Sequence, residues 1–286
     1  MTECNDKIER QDASFIQHLF ERIAPRYDHF ALLSDAIIKR MMHRLAYVRL
    51  QPDRVLDVGS GTGNGAFHLR QHYPVADVIE LDIAWSMLTC SYCKTVNTSS
   101  RRSQWLLNAN MDYLPIANEA VDMLWSNLVL HYTNHPERIL QEWHRVLKPN
   151  GLLMFSLLGP KTLQEFQSVF LQSGCLGSPH HFASMQAIGD QLLEVGFSDP
   201  VVDHEMVVLT YPNWRMMIQA LRGSGMYALL INQLPARLSQ QQWRRIQQQY
   251  DMLRYGGADW PVTCEVIYGH AWRAIADDAL YSIRSV

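Results

Sequence analysis

Apolar positions fall into two rhythms along this chain. Short runs rich in branched residues sit at about 53–58, 77–82, 103–108, 120–125 and 152–158, and each suits a strand buried on both faces. Between them, apolar residues return every three or four positions, as in 64–71, from Ile83 onward, and in 136–147. That alternation predicts an α/β protein with a mostly parallel sheet. Ahead of the first strand, 15–23 and 30–45 have helical spacing, broken at Ala24-Pro25-Arg26-Tyr27-Asp28. This helical cover, within residues 12–47, is expected to pack over the sheet. Beyond strand five, Gly159-Pro160-Lys161-Thr162 should open a helix to about Leu171, and 185–195 should form another that stops at Gly196. Residues 201–209 alternate as a strand, and 262–272 read as the last strand, antiparallel to its neighbours. Between these two, 212–256 reads as a helical insert. The expected organisation is one domain, residues 1–286, carrying that cover and that insert.

The first strand runs into glycines: Arg54-Val-Leu-Asp-Val-Gly-Ser-Gly-Thr-Gly63. Asp57 interrupts an apolar strand and should lie at its carboxyl end with a partner, because an unpaired buried carboxylate is costly. Gly59, Gly61 and Gly63 permit a tight turn and a close backbone approach to a ligand. The second strand, Val78-Ile-Glu-Leu-Asp82, ends in an acid about 20 residues further on, the spacing at which a carboxylate accepts from ribose hydroxyls. Three readings fit: a nicotinamide site, a structural turn capped by Asp82, or another nucleotide-like cofactor. The full G-x-G-x-x-G is absent, with Ala66 at its last glycine, and there is no Walker lysine. Gly-Ser-Gly-Thr-Gly followed by Asp82-Ile-Ala-Trp-Ser-Met-Leu88 resembles the S-adenosylmethionine (SAM) site of class I methyltransferases. That resemblance implies a Rossmann-like, seven-stranded sheet with one antiparallel strand. It also implies a cofactor set of Asp57, Gly59, Ser60, Gly61, Gly63, Asp82, Ile83, Met87, Asn110, Met111 and Asn127. In the resembling families an acid after strand three faces the adenine amino group; Asn110 stands there and can accept without charge assistance. Met111 offers the purine an apolar face or fills core, and Asn127, at the carboxyl end of strand four, should lie near the methionine part.

Composition narrows the class. The 286 residues are 48% hydrophobic and 19% charged, with a formal net charge of −3, an ordinary globular balance. No apolar run approaches the ~20 residues that cross a bilayer, and Met-Thr-Glu-Cys-Asn-Asp-Lys carries no signal-peptide core. A soluble, cytoplasmic protein without membrane contact is expected, as a monomer or weak dimer. Five cysteines without framework spacing suit free thiols. Cys90-Ser-Tyr-Cys93 has no second pair, and His131 and His135 lack the glutamate a zincin helix requires, so no metal is expected.

The insert departs from this balance. It contains Arg215, Arg222, Arg237, Arg244, Arg245 and Arg254, no lysine, and one acid, Asp251. Ordinary solvated faces mix Lys with Glu, whereas guanidinium is favoured for carboxylate and phosphate. An anionic partner is therefore expected. The acidic balance overall and the lack of any nucleic-acid motif favour an acidic protein or acyl group over nucleic acid.

A second, ordered set of segments carries a sharper resemblance. Leu158-Gly-Pro-Lys-Thr-Leu163, Ser178-Pro-His-His-Phe182, Ile188-Gly-Asp-Gln-Leu192, Gly196-Phe-Ser-Asp-Pro-Val201, Asp203-His-Glu205, Leu209-Thr-Tyr211 and Pro261-Val-Thr-Cys-Glu-Val-Ile-Tyr-Gly-His-Ala-Trp272 are similar to the malonyl-acyl-carrier-protein O-methyltransferases of biotin synthesis, from about Phe15 to near the end. The resemblance implies methylation of the free carboxylate of a malonyl thioester on an acidic acyl carrier protein. The chain departs from the family at Asn110, at Leu130-His-Tyr132 in place of a Gln-Trp pair, and at Gly223-Ser-Gly-Met226. An ionised carboxylate needs no general base, so the expected work is orientation and exclusion of water. Arg222 and Tyr27, with Lys161 behind them, are the candidates for holding the carboxylate, and Arg215, Arg237, Arg244 and Arg245 for docking the carrier. Two other readings remain: a methyltransferase of another small acid or quinone precursor, and a SAM- or carrier-binding protein without turnover.

Overall fold

The computed structural model describes residues 2–97, 104–173, 182–231, 238–254 and 259–274. Helix α1 (Thr2–Ile23) passes through a 3-10 turn (Ala24–His29) into α2 (Leu32–Leu45). Then β1 (Arg54–Val58), α3 (Asn64–His72), β2 (Asp77–Asp82), α4 (Trp85–Asn97), β3 (Trp105–Asn108), β4 (Val121–Asn127), α5 (Pro136–Val146) and β5 (Leu147–Leu158) alternate. Helices α6 (Gln164–Gln172) and α7 (Met185–Val195) lead to β6 (Phe197–Tyr211), the insert follows, and β7 (Trp260–Arg273) closes the sheet. The order is β3-β2-β1-β4-β5-β7-β6. Strands β1 to β5 pair in parallel, and β7 runs antiparallel to both β5 and β6. The strand order reverses between β1 and β4, so the carboxyl ends of those parallel strands frame a crevice at the switch point.

Two expected boundaries move. The helix expected over 136–147 stops at Val146 because Leu147 already belongs to β5. Lys148-Pro149-Asn150-Gly151 ends the helix as expected, but it does so as an irregular strand entry: Asn150 takes φ 61° and the β4–β5 register shifts between Val121 and Met123. Strand β6 begins at Phe197 rather than Val201, since the register with β7 resumes across a bulge between Ser198 and Val201. Residue 103, the expected start of strand three, lies outside the described residues, as do His180 and His181.

The insert comprises α8 (Trp214–Gly223), α9 (Tyr227–Ile231) and α10 (Gln240–Asp251). Met217, Leu221, Leu229, Ile246 and Tyr250 belong to the same apolar cluster as Val55, Met123 and Met154 of the sheet. Aromatic packing anchors it: the Phe166 ring of α6 lies 4.6 Å from Tyr250, and Trp214 lies 5.4 Å from Trp260. The N-terminal cover is fastened by polar bonds instead. Both Glu21 carboxylate oxygens accept from the Trp85 and Ser86 amides at the start of α4, at 2.6 and 2.9 Å. Thr62 donates to Asp28 at 2.6 Å and Asn64 to Asp35 at 2.8 Å, tying the cover to the glycine loop. No described helix is long and apolar enough to cross a membrane.

Candidate active site

The crevice at the switch point is roofed by α1 and the 3-10 turn. Tyr27, Gly59, Gly61, Asp82, Ile83, Met87, Asn110, Met111 and Asn127 line one cleft there. Asp57 and Ser60 line a smaller polar recess that opens beside it, sharing Tyr27, Gly59, Gly61 and Asn127. Ten residues expected to touch a cofactor are thus brought together. The eleventh, Gly63, lines neither: a Cβ there would sit 2.1 Å from Ser91 Oγ, so this glycine lets α3 and α4 pack. Gly61 is different. Its φ is +56° and a Cβ would meet nothing within 4 Å, so its backbone lies open to a ligand.

Asp82 organises the loop. Oδ2 accepts from the Gly61 amide at 2.9 Å and Oδ1 from Ala84 at 2.8 Å, which orients the carboxylate into the cleft with lone pairs to spare. Burial pushes its pKa up to about 6, against the backbone bonds that lower it. Asp57 is the penultimate residue of β1 and 2% exposed. Burial, then the Glu80 charge, push its pKa well above the usual carboxylate range. Only part of the expected partnering is present: the Ala66 amide serves the carboxylate, but Oδ2 has no hydrogen-bond partner. Ser60 Oγ and Trp125 Nε1 are buried without partners as well, and all three residues line the recess. These orphaned groups beside an open glycine backbone fit a ligand with a polar, charged tail.

Asn110 is already engaged. Its Oδ1 accepts from the Asp112 amide and its Nδ2 donates to Asp112 Oδ2, each at 3.1 Å. Asp112 lines the same cleft, so the loop after β3 does present a carboxylate, two positions later than expected. The signal was present in Asn110-Met-Asp112 but was not separable from ordinary loop polarity. Asp112, Phe20, Leu128, Val129, Tyr132, His135 and Arg138 complete a lining that sequence reasoning did not assign. His131 and His135 do not converge as a pair: His131 is 4% exposed with Nδ1 accepting from the Leu158 amide at 3.4 Å, while His135 sits at the N-cap position of α5 without a side-chain capping bond. Among the described residues no group of three or more His, Cys, Asp or Glu could hold a metal ion.

Comparison with known proteins agrees with this geometry. A family model described as "Methyltransferase domain" matches residues 56–155, from β1 to β5. Malonyl-(acyl-carrier protein) O-methyltransferase of Laribacter hongkongensis is 42% identical over 93% of this chain and 91% of its own length. The protein of that name from Gallionella capsiferriformans is 39% identical over 92% and 91%. The chain belongs to the malonyl-(acyl-carrier protein) O-methyltransferase family. Among solved structures, phosphoethanolamine N-methyltransferase 2 of Haemonchus contortus, in complex with S-adenosyl-L-methionine, superposes with a TM-score of 0.53 at 15% identity, over 84% of this chain and 53% of that one, a likeness of fold.

Within this family frame, the residues expected to hold the acceptor carboxylate separate. Tyr27 lines both the cleft and the recess. Arg222 does not line the cleft; it lies exposed on α8 with its guanidinium 4.7 Å from the Tyr227 ring. The Lys161 side chain is exposed too, and the loop around it is held by its backbone amide donating to Glu265 Oε2 at 2.8 Å. The reason is local: Arg222 falls in the last turn of α8, about 100° around the helix from the buried Leu221 and outside its apolar stripe. Arg215, Arg244 and Arg245 are exposed on α8 and α10, and Arg237 lies outside the described residues. Asn110, Tyr27, Tyr132 and Asn127 therefore share one cleft, while Arg215, Arg222, Arg244 and Arg245 lie exposed on the insert.

Proposed function

We propose that this protein transfers the methyl group of SAM to the free carboxylate of a malonyl group carried on acyl carrier protein. The observation that carries this reading is the 42% identity extending over 93% of the chain, through the insert as well as the cofactor cleft. SAM supplies an electrophilic methyl group. The carboxylate oxygen forms the new O–C bond, the C–S electrons stay on sulfur, and no proton moves. The chain's residues supply the rest. Asp82 accepts from the ribose hydroxyls, Asn110 and Asp112 face the adenine amino group, and Ile83, Met87 and Met111 sandwich the purine. Ser60, Asp57 and Asn127 surround the polar end of the recess, with Gly59 and Gly61 giving backbone access. Tyr27 orients the acceptor, and the cover keeps out water.

The exposed Arg215, Arg244 and Arg245 are proposed as the dock for the acidic carrier, together with Arg237. Guanidinium on a helical face steers an acidic partner and is screened by salt. Arg222, also exposed, joins that dock more readily than it holds the substrate carboxylate.

The test is transfer of label from methyl-labelled SAM to malonyl-acyl-carrier protein beside malonyl-CoA. Base-labile label on the carrier-bound substrate is the expected result; bound SAM with no transfer to either would refute the reading. Reversal of Arg244 and Arg245 to Glu should raise KM for the carrier-bound substrate roughly tenfold and leave malonyl-CoA unaffected. An equal effect on both acceptors would remove the dock.

A further inference from the structure

One hydroxyl in the cleft has no task in the reading above. Tyr132 ends the 3-10 turn Leu130–Tyr132, which follows β4. Phe20 of α1 meets its ring edge-on at 5.4 Å, and His131 lies against it at 4.4 Å. His131 is itself fixed by the Leu158 amide, so the Tyr132 ring is held from two sides. Its hydroxyl forms no hydrogen bond to any described residue, and the side chain lines the cleft. Phe20 also meets Tyr27, ring to ring at 6.4 Å, so the two phenols flank one aromatic wall.

A chain of bonds leads to the neighbourhood of the Tyr27 hydroxyl. The Leu128 amide, which can only donate, reaches Ser156 Oγ at 3.1 Å. Ser156 gives its own proton to Asn127 Oδ1, which can only accept, at 2.7 Å. Asn127 Nδ2 donates to Ser34 Oγ at 2.9 Å. The Ser34 hydroxyl faces the Tyr27 oxygen and acts on its ionisation. A Ser34 proton directed at the Tyr27 oxygen leaves the Tyr27 proton to the cleft. Each Ser hydroxyl in this chain accepts one bond and keeps a proton to give, so the chain favours Tyr27 as a donor toward the cleft. Burial pushes Tyr27 up to about 12 and raises Tyr132 further, so both phenols keep their protons throughout the physiological range.

Arg138 is the one Lys or Arg in the cleft lining among the described residues, and it stacks 4.4 Å over Tyr113, at the end shared with Asn110 and Asp112. The phenol end has no Lys or Arg lining it. We infer that Tyr132 and Tyr27 together form a neutral two-donor clamp for the acceptor carboxylate, oriented through Ser156, Asn127 and Ser34. The inference rests on the proposed methyl transfer to a malonyl carboxylate. Its chemistry follows from charge. The attacking carboxylate loses its negative charge as the O–C bond forms, and an arginine clamp would stabilise the reactant more than the transition state. Neutral phenols orient the oxygen and leave the sulfonium as the counter-charge. Once the ester forms, both bonds weaken from charge-assisted to neutral, which favours release.

The experiment compares wild type with Tyr132→Phe and Tyr27→Phe. SAM affinity is measured by calorimetry and transfer to malonyl-acyl-carrier protein by initial rates. With S-adenosylhomocysteine bound, preference for malonyl-pantetheine over its methyl ester is measured as well. Each substitution should lower kcat/KM for the acceptor roughly 10- to 100-fold, keep SAM affinity, and erase most of the acid-over-ester preference. Tyr132→Phe should keep the wild-type melting temperature, because the lost hydroxyl has no hydrogen-bond partner among the described residues. Unchanged kcat/KM and unchanged discrimination in Tyr132→Phe would overturn the clamp while the methyl transfer stands. Failure of the wild type to methylate any malonyl thioester would overturn the transfer, and the clamp with it.

Discussion

If Asp82 receives the ribose hydroxyls, SAM affinity must fall in acid. The carboxylate is 7% exposed, and burial raises its pKa from 3.8 to about 6 even with two backbone amides donating to it. That rise corresponds to about 3 kcal/mol disfavouring the charged form. In the free protein the group is roughly nine-tenths ionised at pH 7 and one-tenth at pH 5. Two ribose donors require the ionised, acceptor-only form, so binding expels a proton below pH 6. Kd for SAM should therefore rise about tenfold from pH 7 to pH 5. The sign for stability is opposite. A folded-state pKa above the unfolded value makes the unliganded protein gain stability as pH falls through about 6 toward 4, a gain absent above pH 7. Calorimetric titrations at pH 5, 6, 7 and 8 on wild type and Asp82→Asn would separate this from titration of SAM itself. The variant should bind roughly 10- to 100-fold more weakly at pH 7, since its amide turns an N–H toward a backbone donor, and should lose the additional slope. A wild-type Kd constant from pH 5 to 7, or the same slope in Asp82→Asn, would refute the assignment.

Two further substitutions test how the insert is seated. A Cβ at Gly223 would lie 2.0 Å from the Phe30 ring, so Gly223→Ala should separate insert from cover and cost about 1–3 kcal/mol in denaturant unfolding. A neutral result would show that this contact does not form in solution. Phe166 is fully buried against Tyr250 and Trp214, and Phe166→Ala should cost about 3–5 kcal/mol. Because it supports α10, KM for a carrier-bound acceptor should rise more than Kd for SAM; the reverse order would place the insert away from the acceptor.

Local sequence determined the elements and half of the site. Branched apolar runs specify buried strands wherever the chain folds, and Gly59, Gly61 and Asp82 are tied to one another by a strand–turn–helix–strand unit short enough to read from spacing. The roof was legible only as two amphipathic helices around Tyr27. What tertiary structure decided was direction and company. Whether a charge serves a site depends on which helical face is buried: Leu221 turns inward, so its neighbour Arg222 turns out to solvent, although residue type alone favoured it for carboxylate recognition. Asp112 was hidden as one more polar loop residue until β2 and β3 set the loop's position against Asp82. Tyr132 stood out in the sequence only as a departure from the family pattern, because an unpaired hydroxyl is defined by what surrounds it. Phe20, from α1, and Leu158, which holds the neighbouring His131, come from distant stretches, and only the packed fold brings them to that turn.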